Sequence, residues 1–333
     1  MAQPQMPMDL SVILINWNSA DYLRACLASL YREVRGVSFE VIVIDNASYD
    51  GCEKMLGEEF PDVIFIQSAE NLGFSRANNA AYQRSTGESI LFLNPDTEII
   101  GGAIQKMVAR LREYPSAGAV GARLLNTDGT LQESCIQSFP SILNQALDSN
   151  LLRRWFPAWN IWGTRPFLAR SSEPARVDAI SGACFLTRRA VFEKAGKFNE
   201  GYFMYSDDLD LSFKITRAGY AVLYLDDCQV THHGGKSTAK QEDHFSDLMQ
   251  RESLAQFFRQ AHGALYAWTY RAAMAATAAV RMATVVCLAP FGGAGLDGKA
   301  PGFVFQKWSK IFRWALGSRA WTTAPRTRAR TQV

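Results

Sequence analysis

The order of segments predicts an α/β fold, with a mostly parallel central sheet flanked by helices and a helical C-terminal extension. Three observations carry this. Four β-branched runs alternate with helical-period stretches over the first hundred residues, each run delivers polar residues at its carboxyl end, and strand signals stop near residue 240.

Taken in order, Leu10 to Asn16 reads as a buried parallel strand. A helix follows, with Leu23, Cys26, Leu27, Leu30, Tyr31 and Val34 at helical spacing before Gly36 ends it. Phe39 to Ile44 is a second strand running into Asp45-Asn46-Ala47-Ser48, then a short helical stretch closed by Pro61. Strand, helix, strand implies a right-handed parallel crossover. Val63 to Gln67 leads through Asn71-Leu72-Gly73-Phe74 into a small-residue helix from Ser75 to about Arg84, and Ser89 to Leu93 ends at Asn94-Pro95-Asp96. Polar residues at successive strand ends are where an open α/β sheet binds ligands, so the pattern points to a nucleotide or similar small molecule. Asn16-Trp17-Asn18 stands where a dinucleotide fingerprint would need glycines, which disfavours an oxidoreductase.

Gly102 to Tyr114 is another amphipathic helix, followed by a strand from Ala117 to Leu125 and a hairpin turn at Asn126-Thr127-Asp128-Gly129. Residues 139–176 are rich in Pro, Trp and Arg without a period, which suggests a functional, acceptor-side loop. Val177 to Thr187 reads as a strand containing Gly182, where small residues let a ligand or backbone approach. Then comes Gly201 to Gly235, with Asp207, Asp208 and Asp210 behind an aromatic run (Tyr202, Phe203, Tyr205) and a His-His-Gly-Gly turn at its end. Clustered carboxylates beside apolar surface cost folding energy unless a cation or a reaction uses them. A helix start capped by Ser206, with acids on its dipole, is the structural alternative. For Asp45 it is an Asp opening a turn, and for Asp96 a turn-forming Asn-Pro-Asp.

Composition fits a globular chain of 333 residues, 48% hydrophobic and 20% charged, and a net charge of +3 gives no case for nucleic acid. Six dispersed cysteines without a Cys-x-x-Cys pair suit a reducing cytoplasm. The N-terminal stretch shows no signal peptide or anchor.

The series SVILINWNSADYLRACLASL, VIVIDNASYDG, NLGFSRANNAA, ILFLNPDTEI, SGACFLTRRAVFEKAGKFNEGYFMYSDDLDLSFKITRAGY and VTHHGGKS resembles family 2 glycosyltransferases, most of all their bacterial rhamnosyltransferase branch. The resemblance implies a GT-A fold, a nucleoside-diphosphate sugar donor, a divalent metal (Mn²⁺ or Mg²⁺) and transfer with inversion. It implies a catalytic domain over 1–240, with a nucleotide-binding half at about 9–125 and an acceptor half at about 126–240, and leaves 241–333 as a helical, basic-aromatic region. On the matching positions, Asp45 would contact the nucleobase, Asn16 and Asn18 would lie near the nucleotide, and Arg76 and Asn79 would border it. Asn94-Pro95-Asp96 takes the place of the metal-binding Asp-x-Asp with only the second carboxylate, so Asp96 is the expected ligand and Asn94 a neighbour of the nucleotide. His232 matches a second metal position, ahead of His233. Asp208 matches the base, Asp207 replaces a glutamate, and Asp210 is left to the helix start or a neighbouring loop.

The chemistry agrees: an acceptor hydroxyl must lose its proton as it attacks, and a diphosphate leaves more readily beside positive charge. The leading expectation is transfer of L-rhamnose from dTDP-rhamnose to a glycan or lipid-linked cell-surface acceptor. A UDP-hexose or UDP-N-acetylhexosamine donor is the same-class alternative, and a non-catalytic nucleotide-sugar-binding scaffold the other. Gly263 to Pro290 is apolar but interrupted by Arg271 and Arg281, which argues against a simple membrane span. Within Phe303 to Leu316, Val304, Trp308, Ile311, Phe312 and Ala315 share one helical face, Lys307, Lys310 and Arg313 sit opposite or flank it, and Trp314 and Trp321 lie near the boundary. That suits a helix on anionic lipid at the inner face of the cytoplasmic membrane, or equally a helix packed on the protein's own core.

Overall fold

The computed structural model describes residues 8–147, 155, 173–234, 244–288 and 300–318. Most of the expected acceptor-side loop, Gly235, and the tail beyond residue 318, including Trp321, lie outside them. The chain divides into two units, one of residues 1–139, 164–240 and 327–333, the other of 140–163 and 241–326.

The first unit is built on β1 (Leu10–Asn16), α1 (Ala20–Glu33), β2 (Phe39–Asp45), α2 (Cys52–Glu59), β3 (Ile64–Gln67), α3 (Gly73–Tyr82), β4 (Ser89–Leu93), β5 (Thr97–Ile99), α4 (Ala103–Glu113) and β6 (Ala117–Leu125). Its later part supplies β7 (Ile136–Gln137), β8 (Ala175–Val177), β9 (Ala179–Ile180), β10 (Cys184–Arg188), and, past a helical turn at Arg189–Lys194, the 207–217 helix and β11 (Ala221–His232). The sheet runs β3-β2-β1-β4-β10-β6-β11-β5, with β8 also on β11 and a separate β7-β9 ribbon. Pairings β2-β3, β1-β2, β1-β4 and β6-β11 are parallel; β10 runs antiparallel between β4 and β6, and β5 antiparallel to β11.

Period-two alternation explains the layers. Val12 and Leu14, Val41 and Val43, Leu91 and Leu93 enter one core with α1 and α4, while Ile13, Ile42, Ile44 and Phe92 face a second core with α3 and Phe192, Phe198, Leu211 and Ile215. The expected single strand over 177–187 is instead β8, β9 and β10. Gly182 sits outside the strands, because Ser181 Oγ and Ser181 O accept Ala183 N (3.2 Å) and Cys184 N (3.4 Å) and turn the chain there.

Gly73 shows how closely the first unit is fitted. It holds φ +74, Phe74 N donates to Phe203 O at 2.8 Å, and a Cβ on Gly73 would lie 2.3 Å from Phe203 O. Left-handed strain and overpacking add, so Gly73→Ala should lose about 2–4 kcal/mol of stability, read as a fall in thermal midpoint. An unchanged midpoint would contradict this contact.

In the second unit, α5 (Ile142–Leu147) belongs with the long helices rather than with the expected acceptor half at 126–240, because it packs on the helix Ala264–Leu288. Completing α6 (Arg189–Lys194) and α7 (Asp207–Arg217) in the numbering, the long helices are α8 (Phe245–His262), α9 (Ala264–Leu288) and α10 (Pro301–Ala315). The face expected to meet lipid on α10 is largely covered. Trp308, Ile311, Trp314 and Ala315 are buried where α10 packs on α9, and Trp314 lies at the centre of that contact rather than at a boundary, 6.1 Å from the Tyr270 ring. Among the described residues no helix is long and apolar enough to cross a membrane.

Candidate active site

The carboxyl ends of β1, β2 and β3 bring Asn16, Asp45 and Gln67 into one row, because Asn16 pairs with Asp45 and Asp45 with Gln67 in the sheet register. Asp45 is fully buried. Its carboxylate accepts Asn16 Nδ2 (2.9 Å), Ser48 N (3.1 Å), Tyr49 N (3.0 Å), Gln67 Nε2 (2.9 Å) and the Ser48 hydroxyl. Burial pushes this carboxyl up, but the hydrogen bonds from Ser48, Tyr49, Gln67 and Asn16 outweigh it and hold the group below its ordinary value. With its oxygens taken by internal donors, Asp45 chiefly shapes the loop that follows, where Ala47 and Tyr49 hold φ 61 and 50.

Asn16 is the hub of this corner. Its amide also reaches Ser48 Oγ (3.1 Å) and Asp50 Oδ1 (3.0 Å), and Asp50 in turn accepts Ala20 N (2.9 Å) at the start of α1. Asp45, Asp50 and Cys52 present three potential metal ligands within 4.8 Å of one another. The donor set does not fit a cation, since the Asn16 amide already donates to both carboxylates and burial keeps the Cys52 thiol protonated. Asn18 is exposed in the left-handed region at φ 53, and Arg76 is half exposed with Glu70 3.6 Å away. Asn79 is used differently from its expected place beside a nucleotide: it donates to Phe198 O (2.9 Å) and Glu200 Oε1 (3.1 Å) and accepts Phe198 N (3.2 Å), tying α3 to the chain that leads to Asp207.

A second group forms where β4 ends. β11 runs antiparallel to β5 with His232 opposite Thr97, and this sets His232 Nε2 3.3 Å from Asp96 Oδ1 and 3.3 Å from Asn94 Nδ2. His232 Nδ1 lies 2.7 Å from Gln132 Oε1. An amide oxygen only accepts, so Nδ1 carries a hydrogen, and in the tautomer where Asn94 Nδ2 donates to Nε2 that nitrogen offers a lone pair next to Asp96. Gln132 is held in that orientation by Nε2 donating to Asn126 Oδ1 at 3.4 Å. A carboxylate oxygen and an imidazole lone pair at this separation can both reach one divalent cation at about 2.1 Å, so these residues fit a metal. His233 turns to Glu98 Oε1 (2.8 Å) and Thr127 Oγ1 (3.0 Å).

The third group is the start of α7. Tyr205 and Ser206 hold φ 69 and 59, two successive non-glycine residues in the left-handed region; such strain persists where the surroundings enforce it. Ser206 makes no capping bond. Instead Asp207 Oδ1 accepts Asp208 N (3.2 Å), and Asp208 accepts Leu209 N on Oδ1 (2.8 Å) and Gly182 N on Oδ2 (2.9 Å). Asp207 Oδ2 is buried without a hydrogen-bond partner. Burial pushes both carboxyls above their ordinary value, and the Asp208 charge adds to the rise at Asp207. Asp210 is separate: it faces Lys214 at 3.0 Å, and Lys214 donates to Lys197 O, so this acid secures a neighbouring loop.

The 181–183 turn joins the last two groups. Asn94 N donates to Ala183 O at 3.0 Å while the adjacent Gly182 N donates to Asp208, and a Cβ at Gly182 would lie only 3.3 Å from Asp208 Cβ. A carboxylate with raised proton affinity is thus linked through one turn to Asn94, which neighbours the Asp96–His232 pair, while Asn16, Asp45 and Gln67 line the carboxyl ends of β1, β2 and β3. Gln132 and Gln67 lie outside the segments that carry the resemblance, and Gln132 meets a histidine a hundred residues away; Asp50 lies inside VIVIDNASYDG but is not singled out there.

Comparison with known proteins identifies the family and the fold. The N-acetylglucosaminyl-diphospho-decaprenol L-rhamnosyltransferase of Mycobacterium tuberculosis is 30% identical over 247 residues, 69% of this chain and 78% of that one. Rhamnosyltransferase WbbL of Escherichia coli is 23% identical over 67% of this chain and 82% of its own length. Among solved structures, the mannosyltransferase PcManGT of Pyrobaculum calidifontis, in complex with GDP-Man and Mn²⁺, superposes with a TM-score of 0.54 at 19% identity, covering 94% of this chain and 89% of that one. The fold is that of the GT-A glycosyltransferases. Residues 11–196 match the model for glycosyl transferase family 2, and the chain belongs to that family.

Proposed function

We propose that the protein transfers L-rhamnose from dTDP-rhamnose, with inversion, to a lipid-linked glycan at the inner face of the cytoplasmic membrane. The observation that carries the chemistry is Asp208 tethered through the 181–183 turn to the Asp96–His232 pair. Asp208 accepts the proton of the acceptor hydroxyl as that oxygen bonds to the anomeric carbon and the bond to the diphosphate breaks. Asp96 and His232 hold a divalent cation, which when bound offsets the charge of the departing diphosphate. Asn16, Asp45, Gln67 and Asn18 frame the nucleotide at the sheet edge, with Arg76 and Asn94 flanking it and Asn79 keeping α3 in place. The sugar and the acceptor are taken from the mycobacterial relative, whose substrate is decaprenol-linked.

Calorimetry in Mn²⁺ should show dTDP binding more tightly than UDP, and dTDP-rhamnose should be consumed with a polyprenyl-diphosphate-linked acceptor. Preference for UDP would overturn the rhamnose assignment in favour of a UDP-hexose or UDP-N-acetylhexosamine donor.

A further inference from the structure

Helix α9 runs 25 residues and its only charged side chains are Arg271 and Arg281. Both are turned to the inside of the helical unit. Arg271 donates to Glu252 Oε2 (2.6 Å) and Trp314 O (2.8 Å) and lies 4.5 Å from the Trp314 ring; Arg281 lies 4.4 Å from the ring of Trp308. The interruptions that spoil this segment as a span are therefore spent on α8 and α10. The opposite face is left without charge.

That face is exposed along its whole length. Leu265 is 82% exposed, Trp268 66%, Val280 65% and Val286 59%, with Ala272 and Ala276 exposed between them. At 100° per residue these positions fall on one stripe, and a solvated helix face would carry Lys, Glu or Gln there. The sequence that contains it is basic: from Ser253 to Val333 the single acid is Asp297, against Arg259, Lys299, Lys310, Arg313 and the arginines after residue 318, leaving aside the inward-turned Arg271 and Arg281. A second copy seated on this stripe by two-fold symmetry would bring two such basic regions together, which like-charge repulsion opposes. An anionic lipid surface meets both features, taking up the apolar stripe and attracting its basic flanks.

We infer that the outer face of α9 is a membrane-binding surface, with the helix lying in the plane of an anionic bilayer. The stripe covers one side of the helix and the other side is packed on protein, so the geometry is in-plane and not spanning. The lipid contact thus falls on α9 and not on its neighbour α10, where the sequence suggested it. It shares with the proposed function only the lipid-borne acceptor.

The test uses the full chain with sucrose-loaded vesicles, without donor or acceptor, so its outcome is independent of the transfer reading. Wild type should sediment with phosphatidylglycerol-containing vesicles, less with pure phosphatidylcholine, and less as salt rises. Trp268→Glu with Val280→Glu should weaken partition by roughly tenfold or more with its circular-dichroism melt unchanged; Trp268→Ser, a milder change, should weaken it in the same direction if the double variant misfolds. Equal binding of wild type and both variants, or no binding of wild type to anionic vesicles, would overturn the inference. So would a lipid-free dimer, seen by light scattering, that the substitutions turn into a monomer.

Discussion

Asp208→Asn should leave the chain folded and still able to bind a nucleotide, and lower turnover by roughly three orders of magnitude, the range lost when a positioned general base is removed. The substitution is nearly isosteric. An amide oxygen can still accept Gly182 N, now 2.9 Å from Asp208 Oδ2, so the 181–183 turn and its link to Asn94 have reason to survive. What is lost is the ability to take a proton, together with the bond from Leu209 N to the other carboxylate oxygen. An unperturbed aspartate, with a pKa near about 3.9, is ionised at neutral pH but is a weak base. Burial raises the proton affinity of Asp208, and this makes proton uptake from a hydroxyl less unfavourable in the transition state.

The same shift fixes the sign of the pH dependence. Only the ionised carboxylate can act as base, so wild-type turnover should rise with pH across a limb displaced above the ordinary carboxylate range and then level off. The residual rate of Asp208→Asn should lack that limb. Steady-state rates from acidic to neutral pH, compared with calorimetric nucleotide binding by the same variant, separate the role in catalysis from one in folding. Turnover retained within a few-fold would remove Asp208 as the base.

How much of this was legible depended on the range of the interaction. Strand and helix signals in the first hundred residues are local, and the alternation of Val12, Ile13 and Leu14 between two cores is a period-two consequence of burying both sheet faces. Polar residues at strand ends likewise placed Asn16 and Asp45 on the ligand edge. Yet the sequence could not say that Asp45 would have its oxygens filled by Ser48, Tyr49, Gln67 and Asn16, since that depends on the loop closing back on the strand. Asn79 was expected beside the nucleotide from the family resemblance alone; its partners at Phe198 and Glu200 are more than a hundred residues on, and no periodicity reports them. The apolar pattern of α10 reads the same for a protein core and a bilayer. Trp308, Ile311, Trp314 and Ala315 are buried where α10 packs on α9, and that burial is a property of packing.

Asp96→Ala should abolish retention of Mn²⁺ and reduce turnover by roughly a hundredfold or more, because several kcal/mol of charge stabilisation at the leaving diphosphate go with the cation. Asp96 and His232 supply one oxygen and one nitrogen 3.3 Å apart, and losing the carboxylate leaves a single imidazole nitrogen as the remaining ligand of the pair. The role of Gln132 gives a sharper comparison, since it lies behind the histidine. By accepting the Nδ1 hydrogen it favours the tautomer whose Nε2 lone pair is available to a cation. Gln132→Glu preserves an acceptor and should keep the tautomer, while Gln132→Met removes it and should weaken Mn²⁺ binding by roughly 10–100-fold. Electron paramagnetic resonance counts free Mn²⁺ without any turnover, and ¹⁵N shifts of the His232 ring report which nitrogen carries the hydrogen. Equal Mn²⁺ affinity in Asp96→Ala and wild type would place the cation elsewhere, and equal affinity in Gln132→Met would show that the ring is oriented by the sheet register of β5 and β11 alone.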